Sequence, residues 1–129
     1  GLGFGDNTKA GLMTRGLAEM TRLGRAYGAR LETYLGLAGV GDLIATCTSR
    51  HSRNRRAGEL LAQGVPPGEI EGRIGQVAEG LVTVRNLLAL ARERDVELPI
   101  TLEADAVVHE LRSVRDSMIV LMSRSPAVE

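Results

Sequence analysis

An all-α domain is what this sequence predicts, and three observations predict it. Apolar residues recur three and four apart in several separate stretches, which is the spacing of one helical face. Nowhere do apolar and polar residues alternate with period two for long enough to build a sheet. The apolar content is also aliphatic: 43% of the 129 residues are hydrophobic, yet only two Tyr and one Phe are aromatic and Trp is absent. The core must therefore be Leu, Val, Ile, Ala and Met. Residues 1–129 read as one compact multi-helix domain with about six to eight helices and no internal repeat.

Taken in order, the opening Gly1-Leu2-Gly3-Phe4-Gly5-Asp6-Asn7 is a loop, because its glycines defeat helix and strand alike. From about Asn7 to Tyr27, Leu12, Met13, Leu17, Met20, Leu23 and Ala26 form one stripe of a long helix, with Asp6 or Asn7 as its cap. Gly11, Gly16 and Gly24 inside it each cost about 1 kcal/mol against Ala, which points to close packing at a crowded centre. Gly28 ends this helix. Leu31 to Leu35 forms a short helix closed by Gly36, and a helix near Val40–Cys47 follows. After a polar loop, a helix from about Ser52 to Ala62 is ended by Gly64. Val65-Pro66-Pro67-Gly68 is a turn, with Pro67 opening a short helix over Gly68–Arg73. Gly75 to Gly80 interrupts the pattern before the stripe Leu81, Val84, Leu87, Leu88 and Ala91. Pro99 starts a helix expected to bury Ile100, Leu102, Ala106, Val107 and Leu111. A last helix spans about Val114–Met122, and Ser123–Glu129 is expected to fray.

Composition excludes several functions. Lys plus Arg and Asp plus Glu are 16 each, so no net field draws the chain to nucleic acid or a membrane surface. The shortage of aromatics removes the stacking platforms of single-strand binders. Cys47 stands alone, which rules out an intramolecular disulfide and a cysteine-rich metal framework and suits a cytoplasmic protein. A small buried residue is the expected role for Cys47. Lys9 is the single lysine; it serves either a need for a compact ammonium or no need beyond the chain's preference for Arg. No apolar run approaches the ~20 residues of a membrane span. The chain is small for a complete cofactor enzyme and opens at Gly1 in mid-loop without an initiator Met. A fragment of a longer polypeptide is expected.

The chemistry concentrates in residues 39–56. Asp42 and Thr46 lie four apart, so a helix sets carboxylate and hydroxyl on one face. Ser52 is a favoured N-cap immediately before Arg53 and Asn54. The free N–H groups of a first helical turn, the macrodipole and an Arg fork together suit a phosphate or carboxylate. Each half has a plainer reading, Asp42 as a capping carboxylate and Ser52-Arg53-Asn54 as a solvated basic face. The pair is more telling than either member, and a small phosphorylated polyol is the natural guest. Glu79 could accept hydrogen bonds from ribose hydroxyls or simply sit in the first turn of the following helix; the residues alone leave both open. Other constellations fail. Gly5-Asp6-Asn7-Thr8-Lys9 lacks the order of a phosphate loop, and Gly1-x-Gly3-x-Gly5 is no dinucleotide fingerprint. His51 beside Ser52 makes no hydrolase triad, since adjacent side chains diverge and no nucleophile elbow is present. His109, near Asp105 and Glu110, has no third ligand at metal-like spacing.

Five ordered motifs form a set: residues 1–10, Gly-Leu-Ala-Glu-Met at 16–20, Gly-Val-Gly-Asp-Leu-Ile-Ala-Thr-Cys at 39–47, Ser-Arg-Asn-Arg at 52–55 and Gly-Gln-Val-Ala-Glu-Gly at 75–80. Together they resemble the C-terminal domain of bacterial NAD(P)-dependent glycerol-3-phosphate dehydrogenase, over essentially the whole chain. The resemblance implies a helical substrate domain of the 6-phosphogluconate dehydrogenase C-terminal-like type, following a Rossmann domain and forming the active-site cleft with it. It implies reduction of dihydroxyacetone phosphate to sn-glycerol 3-phosphate with NADPH or NADH, feeding phospholipid synthesis, and commonly a homodimer. By the same similarity Asp42, Ser52, Arg53 and Asn54 match substrate-binding positions, and Arg53, Val77 and Glu79 cofactor-binding positions. Thr46 and Lys9 are weaker candidates for the substrate pocket. The family's proton-transferring lysine belongs to an Ala-Leu-Lys-Asn motif upstream of Gly1. The implied assignment therefore places no catalytic residue in this chain and makes it inactive alone. A helical dimerisation module and a helix-turn-helix nucleic-acid binder using Arg50, Arg53, Arg55 and Arg56 are the competing readings, and zero net charge argues against the second.

Overall fold

The structure, a computed structural model, describes residues 1–124. Among these there are eight α-helices and no strand: α1 (Asp6–Ala26), α2 (Leu31–Leu35), α3 (Asp42–Thr48), α4 (Arg53–Ala62), α5 (Ile70–Ile74), α6 (Glu79–Glu93), α7 (Pro99–His109) and α8 (Val114–Ser123). A π-turn at Leu37–Gly41 leads into α3, and a single 3-10 turn at Pro67–Glu69 leads into α5. The all-α expectation holds, and most boundaries fall where the local chemistry put them. Gly28, Gly64 and Gly75 end helices with φ of +87°, +88° and +76°, a conformation that costs a residue without Cβ nothing. Ser52 caps α4, its Oγ accepting from the Arg55 N–H at 3.2 Å. Ser113 caps α8 in the same way through Asp116 N–H.

Several expectations are corrected. Gly5, not Asp6 or Asn7, is the N-cap of α1, and Asp6 lies in its first turn, where a carboxylate complements the helix dipole. Close packing holds at Gly24, where a Cβ would meet the Tyr34 ring, but nothing lies within 4 Å of a Cβ at Gly11 or Gly16. The helix expected near Val40–Cys47 begins only at Asp42, after the π-turn. The helix expected over Gly68–Arg73 is divided into the 3-10 turn and α5. Leu87, Leu102 and Leu111 are exposed. On α6 the buried face is Val84, Leu88 and Ala91, and on α7 it is Pro99, Glu103, Ala106 and Val107, so Leu87 and Leu102 fall off their stripes. Leu111 lies past the end of α7 with φ +57°. The Arg112 N–H reaches back to the Ala106 carbonyl at 3.1 Å, so the chain turns at Leu111 and leaves its side chain exposed. Of the tail expected to fray, Ser123 closes α8, and residues 125–129 lie outside the described residues.

Two packings position the functional end of the molecule. Ala57 of α4, Ile70 of α5 and Ala78 just before α6 form a buried cluster, with Leu60, Leu61, Val65, Ile74 and Leu81 packed around it. This cluster holds the start of α6 beside the start of α4. The second packing joins α6 to α7 and α7 to α8. Long α1 is tied across them by polar contacts, among them Arg22 Nε donating to the Glu97 carbonyl at 3.1 Å. Arg15 Nη1 donates to the Leu121 carbonyl at 2.6 Å, at the C-terminal end of α8 where the dipole favours a cation. The Tyr27 hydroxyl donates to the Leu90 carbonyl at 2.9 Å and lies 2.9 Å from Glu93 Oε2.

Another tie is a buried carboxylate. Glu19 accepts from the N–H groups of Ile100 and Thr101 and from the Thr101 hydroxyl, so a residue of α1 caps α7, whose own N-cap Leu98 offers no side-chain bond. Burial raises the Glu19 pKa above the ordinary carboxylate range, and those three hydrogen bonds together with Arg22 oppose the rise without cancelling it. Replacing Glu19 with Ala strips the first turn of α7 of its acceptors and is expected to cost about 2 kcal/mol. Because the folded pKa is the higher one, the carboxyl's contribution is full below its unfolded pKa and declines as pH rises through the folded value. The stability gap between wild type and Glu19→Ala should therefore be widest in acid and narrow toward neutrality, as urea titrations at several pH values would show. A gap that widens toward neutrality would overturn this.

Candidate functional site

The site grows from the turn at residues 49–52. Ser49 organises it: its Oγ accepts from the His51 N–H at 3.2 Å and its carbonyl from the Ser52 N–H at 3.2 Å. Ser52 then starts α4, its Oγ taking the Arg55 N–H and its carbonyl the Arg56 N–H at 3.0 Å. The N–H groups of Arg53 and Asn54 have no hydrogen-bond acceptor among the described residues, and the Ser52 hydroxyl proton remains available to donate. A helix begun in this way carries partial positive charge at its mouth.

Arg55 holds the turn closed. Its Nε donates to Glu59 Oε1 at 3.0 Å, and its Nη1 donates to the Thr48 carbonyl at the end of α3. The guanidinium that looked available in the run Arg53-Asn54-Arg55-Arg56 is thus a staple between α3 and α4. Arg53 beside it is exposed.

A cavity of about 370 Å³ opens at this mouth. Thr46 reaches it from α3, Ser49 and His51 from the turn, Ser52, Arg53 and Asn54 from the start of α4, and Glu79 from the start of α6. Five of the residues singled out in the sequence, Thr46, Ser52, Arg53, Asn54 and Glu79, therefore line one cavity. Glu79 is both the first residue of α6 and a wall of the cavity. Asn54 links the two helices: its Oδ1 accepts from the Gly80 N–H at 3.1 Å.

The remaining candidates lie near but outside this lining. Asp42 opens α3, exposed, one turn before Thr46. Val77 is 43% exposed, two residues before Glu79. Lys9 lines a different cleft of about 620 Å³, together with Asp6, Cys47, Thr48, Arg55 and Glu59. Cys47 is exposed, against the expectation of a buried residue: no residue of α3 is buried, and Cys47 lines the cleft that Lys9 also lines. Partial burial pushes its thiol pKa up, so it stays protonated near neutral pH. Ser49 lines the cavity as part of the hydroxyl-rich turn that the sequence showed, whereas His51 and Gly80 belong to the site although the sequence reading gave them no role in it. The signal for Gly80 was present in principle, as a glycine in a helix's first turn where Ala would be more stable. Among the described residues no group of three or more His, Cys, Asp and Glu could hold a metal ion. His109 Nε2 sits 3.7 Å from Asp105 Oδ1, which Arg85 also approaches at 3.2 Å.

Fold and site define an all-helical domain with an open, polar cleft whose donors suit a small anion. Residues 1–119 match the family model of the NAD-dependent glycerol-3-phosphate dehydrogenase C-terminus, and the chain belongs to that family. It is 53% identical over 129 residues to a glycerol-3-phosphate dehydrogenase [NAD(P)+] of Legionella pneumophila (strain Corby), covering 100% of this chain and 39% of the relative. It is 46% identical to the protein of that name from Listeria monocytogenes serotype 4a (strain HCC23), covering 100% of this chain and 38% of the relative. The crystal structure of glycerol-3-phosphate dehydrogenase from Coxiella burnetii superposes with a TM-score of 0.92 at 42% identity, covering 95% of this chain and 38% of that one. The chain thus spans about two fifths of the length of these relatives. No helix of the described residues is long and apolar enough to cross a membrane.

Proposed function

We propose that this chain is the substrate-gripping domain of an oxidoreductase that interconverts dihydroxyacetone phosphate and sn-glycerol 3-phosphate with NAD(P)H, in support of glycerophospholipid synthesis. The observation that carries the reading is the single cavity where the free N-terminal turn of α4, the Arg53 guanidinium and the Asn54 carboxamide converge with Thr46 and Glu79. The phosphate belongs against Arg53, the Ser52 hydroxyl and the first-turn N–H groups. Thr46 lies where a hydroxyl can bond the carbon end of the substrate, with Asp42 one turn back, and Lys9 acts from the neighbouring cleft through its charge.

The donor set also fits one end of a nicotinamide nucleotide. The Glu79 carboxylate supplies acceptors for ribose hydroxyls, Val77 beside it is an exposed apolar surface, and Arg53 is shared with the substrate. When bound, that cofactor supplies the hydride. A Rossmann domain preceding this one would hold most of it, and the lysine of the upstream motif would transfer the proton. What this chain contributes is orientation: fixing the phosphate holds the carbonyl carbon at one place, which lowers the barrier by removing freedom rather than by making bonds. Homodimerisation and a cytoplasmic setting go with this reading.

The test is titration with sn-glycerol 3-phosphate, following the amides of Asp42, Arg53 and Asn54 by NMR, with glycerol as the control. Shifts confined to that cluster, present with the phosphate and absent with glycerol, are expected. An unshifted cluster at tens of millimolar in the full-length protein would sink the assignment.

A further inference from the structure

We infer that Gly80 is a positioning residue for the anion grip: the absence of a side chain at this position lets the Asn54 carboxamide lie across the start of α6 with its NH2 free to face the ligand. The inference rests on the proposed role of Asn54 as a phosphate donor and deepens it.

The starting point is an unprotected helix start. Ala78 is the N-cap of α6 and has no side chain able to cap. Asn54, 26 residues away, fills that role, its Oδ1 taking the Gly80 N–H at 3.1 Å. A carboxamide has one carbonyl and one NH2, and committing the carbonyl to an N–H fixes which way the group points. With Oδ1 on α6, Nδ2 is left as the donating end of a residue that lines the cavity. The opposite rotamer would put a carbonyl oxygen toward a phosphate and an NH2 against an N–H, which is repulsive at both ends.

Gly80 makes this possible by what it lacks. A Cβ there would stand 3.0 Å from Asn54 Oδ1, 3.3 Å from Cγ and 3.5 Å from Nδ2. All three atoms belong to the group that must be oriented, so a Cβ at position 80 pushes the carboxamide itself by a few tenths of an ångström and misaims it. Helix stability alone favours Ala over Gly here, so the glycine needs another reason. The latch also has a geometric consequence. It ties the first turn of α4 to the segment carrying Val77 and Glu79, alongside the buried contact cluster of Ala57 and Ala78, so the phosphate end and the cofactor end of the site move together.

A double-substitution cycle in the full-length protein tests this, comparing wild type, Gly80→Ala, Asn54→Ala and the double variant. The readout is the Kd for sn-glycerol 3-phosphate by calorimetry, with thermal melts to establish folding. Gly80→Ala is expected to weaken binding about tenfold and Asn54→Ala by about tenfold or more, one lost or misaimed hydrogen bond to a charged group. In the Asn54→Ala background, Gly80→Ala should change the Kd less than about twofold, because no carboxamide remains to be displaced. A merely structural glycine would cost the same in both backgrounds, and that result overturns the inference. So does unchanged binding by Gly80→Ala while Asn54→Ala weakens it. Unchanged binding by Asn54→Ala would instead remove the reading of Asn54 on which the inference stands. As a second measurement, the Asn54 side-chain NH2 resonances should shift with the phosphate ligand in wild type and not in folded Gly80→Ala.

Discussion

Arg53→Ala in the full-length protein should lower kcat/KM for the phosphorylated substrate about 100-fold, through a higher KM and, because the phosphate no longer fixes the carbonyl carbon, a lower kcat as well. Among the described residues Arg53 carries the one guanidinium in the cavity lining. Its neighbour Arg55 is committed to Glu59 and the Thr48 carbonyl and cannot move over to replace it. A fork on a phosphate makes two charge-assisted hydrogen bonds of about 1.5–3 kcal/mol each. The cleft is open to water, so the lower end applies, and about 3 kcal/mol is a factor of roughly 100. Arg53→Lys restores the charge without the fork and should recover only part of the loss. Arg56→Ala is the control: Arg56 is exposed, outside the cavity lining and on the same helix, and its removal should shift KM by less than about twofold. If Arg53→Ala and Arg56→Ala behaved alike, the effect would belong to the general field of the helix and the grip would be misassigned. Weaker salt dependence of binding in Arg53→Ala than in wild type would point the same way as the KM change.

How legible all this was in the sequence depends on the distance over which each feature is decided. Ser52 as a cap, Gly28 and Gly64 as stops and Pro99 at the head of α7 are settled within four residues, and the structure has them as read. The convergence of Ser52, Arg53 and Asn54 on one cavity was legible for the same reason, since the three are consecutive and a helix start is a local object. Features decided by remote partners were not. Glu19 serves a helix 81 residues further on, and in the sequence it was one acid in a helical motif. The Asn54–Gly80 latch crosses 26 residues. Periodicity also overstates burial. Leu87, Leu102 and Leu111 kept helical spacing, but which face of a helix is covered is chosen by its neighbours. Lys9 and Arg53 illustrate the limit at the site. Both sit in motifs that the family resemblance marks, yet α1 delivers Lys9 to one cleft and α4 delivers Arg53 to another.

Gly39→Ala should have the largest effect on stability, with a loss above about 3 kcal/mol and a melting temperature lower by about 10 °C or more. Gly39 is buried in the π-turn, where the Gly36 carbonyl accepts from the N–H of Gly39 at 3.1 Å and of Gly41 at 3.4 Å. A Cβ on Gly39 would lie 2.2 Å from the Tyr34 carbonyl oxygen, 2.5 Å from its Cα and 2.6 Å from its carbonyl carbon. Those are backbone atoms, so no rotamer relieves the overlap, and either α2 or the π-turn must move. The π-turn runs straight into α3, which carries Asp42 and Thr46, so the damage should reach the site as weaker ligand binding even where the variant folds. Gly24 provides the contrast. The atoms its Cβ would strike are the Tyr34 hydroxyl and ring, a side chain that can swing aside at the cost of its own packing, so Gly24→Ala should lose less. At Gly11 and Gly16 nothing lies within 4 Å of a Cβ. Ala there should stabilise α1 by up to about 1 kcal/mol through helix propensity alone. Thermal melts of the four variants then test an order with a sign change in it: Gly39→Ala far below wild type, Gly24→Ala moderately below, Gly11→Ala and Gly16→Ala at or above. If Gly39→Ala melted with wild type, the close approach of α2 to the π-turn would be wrong, and with it the placement of α3 against the cavity that Thr46 lines.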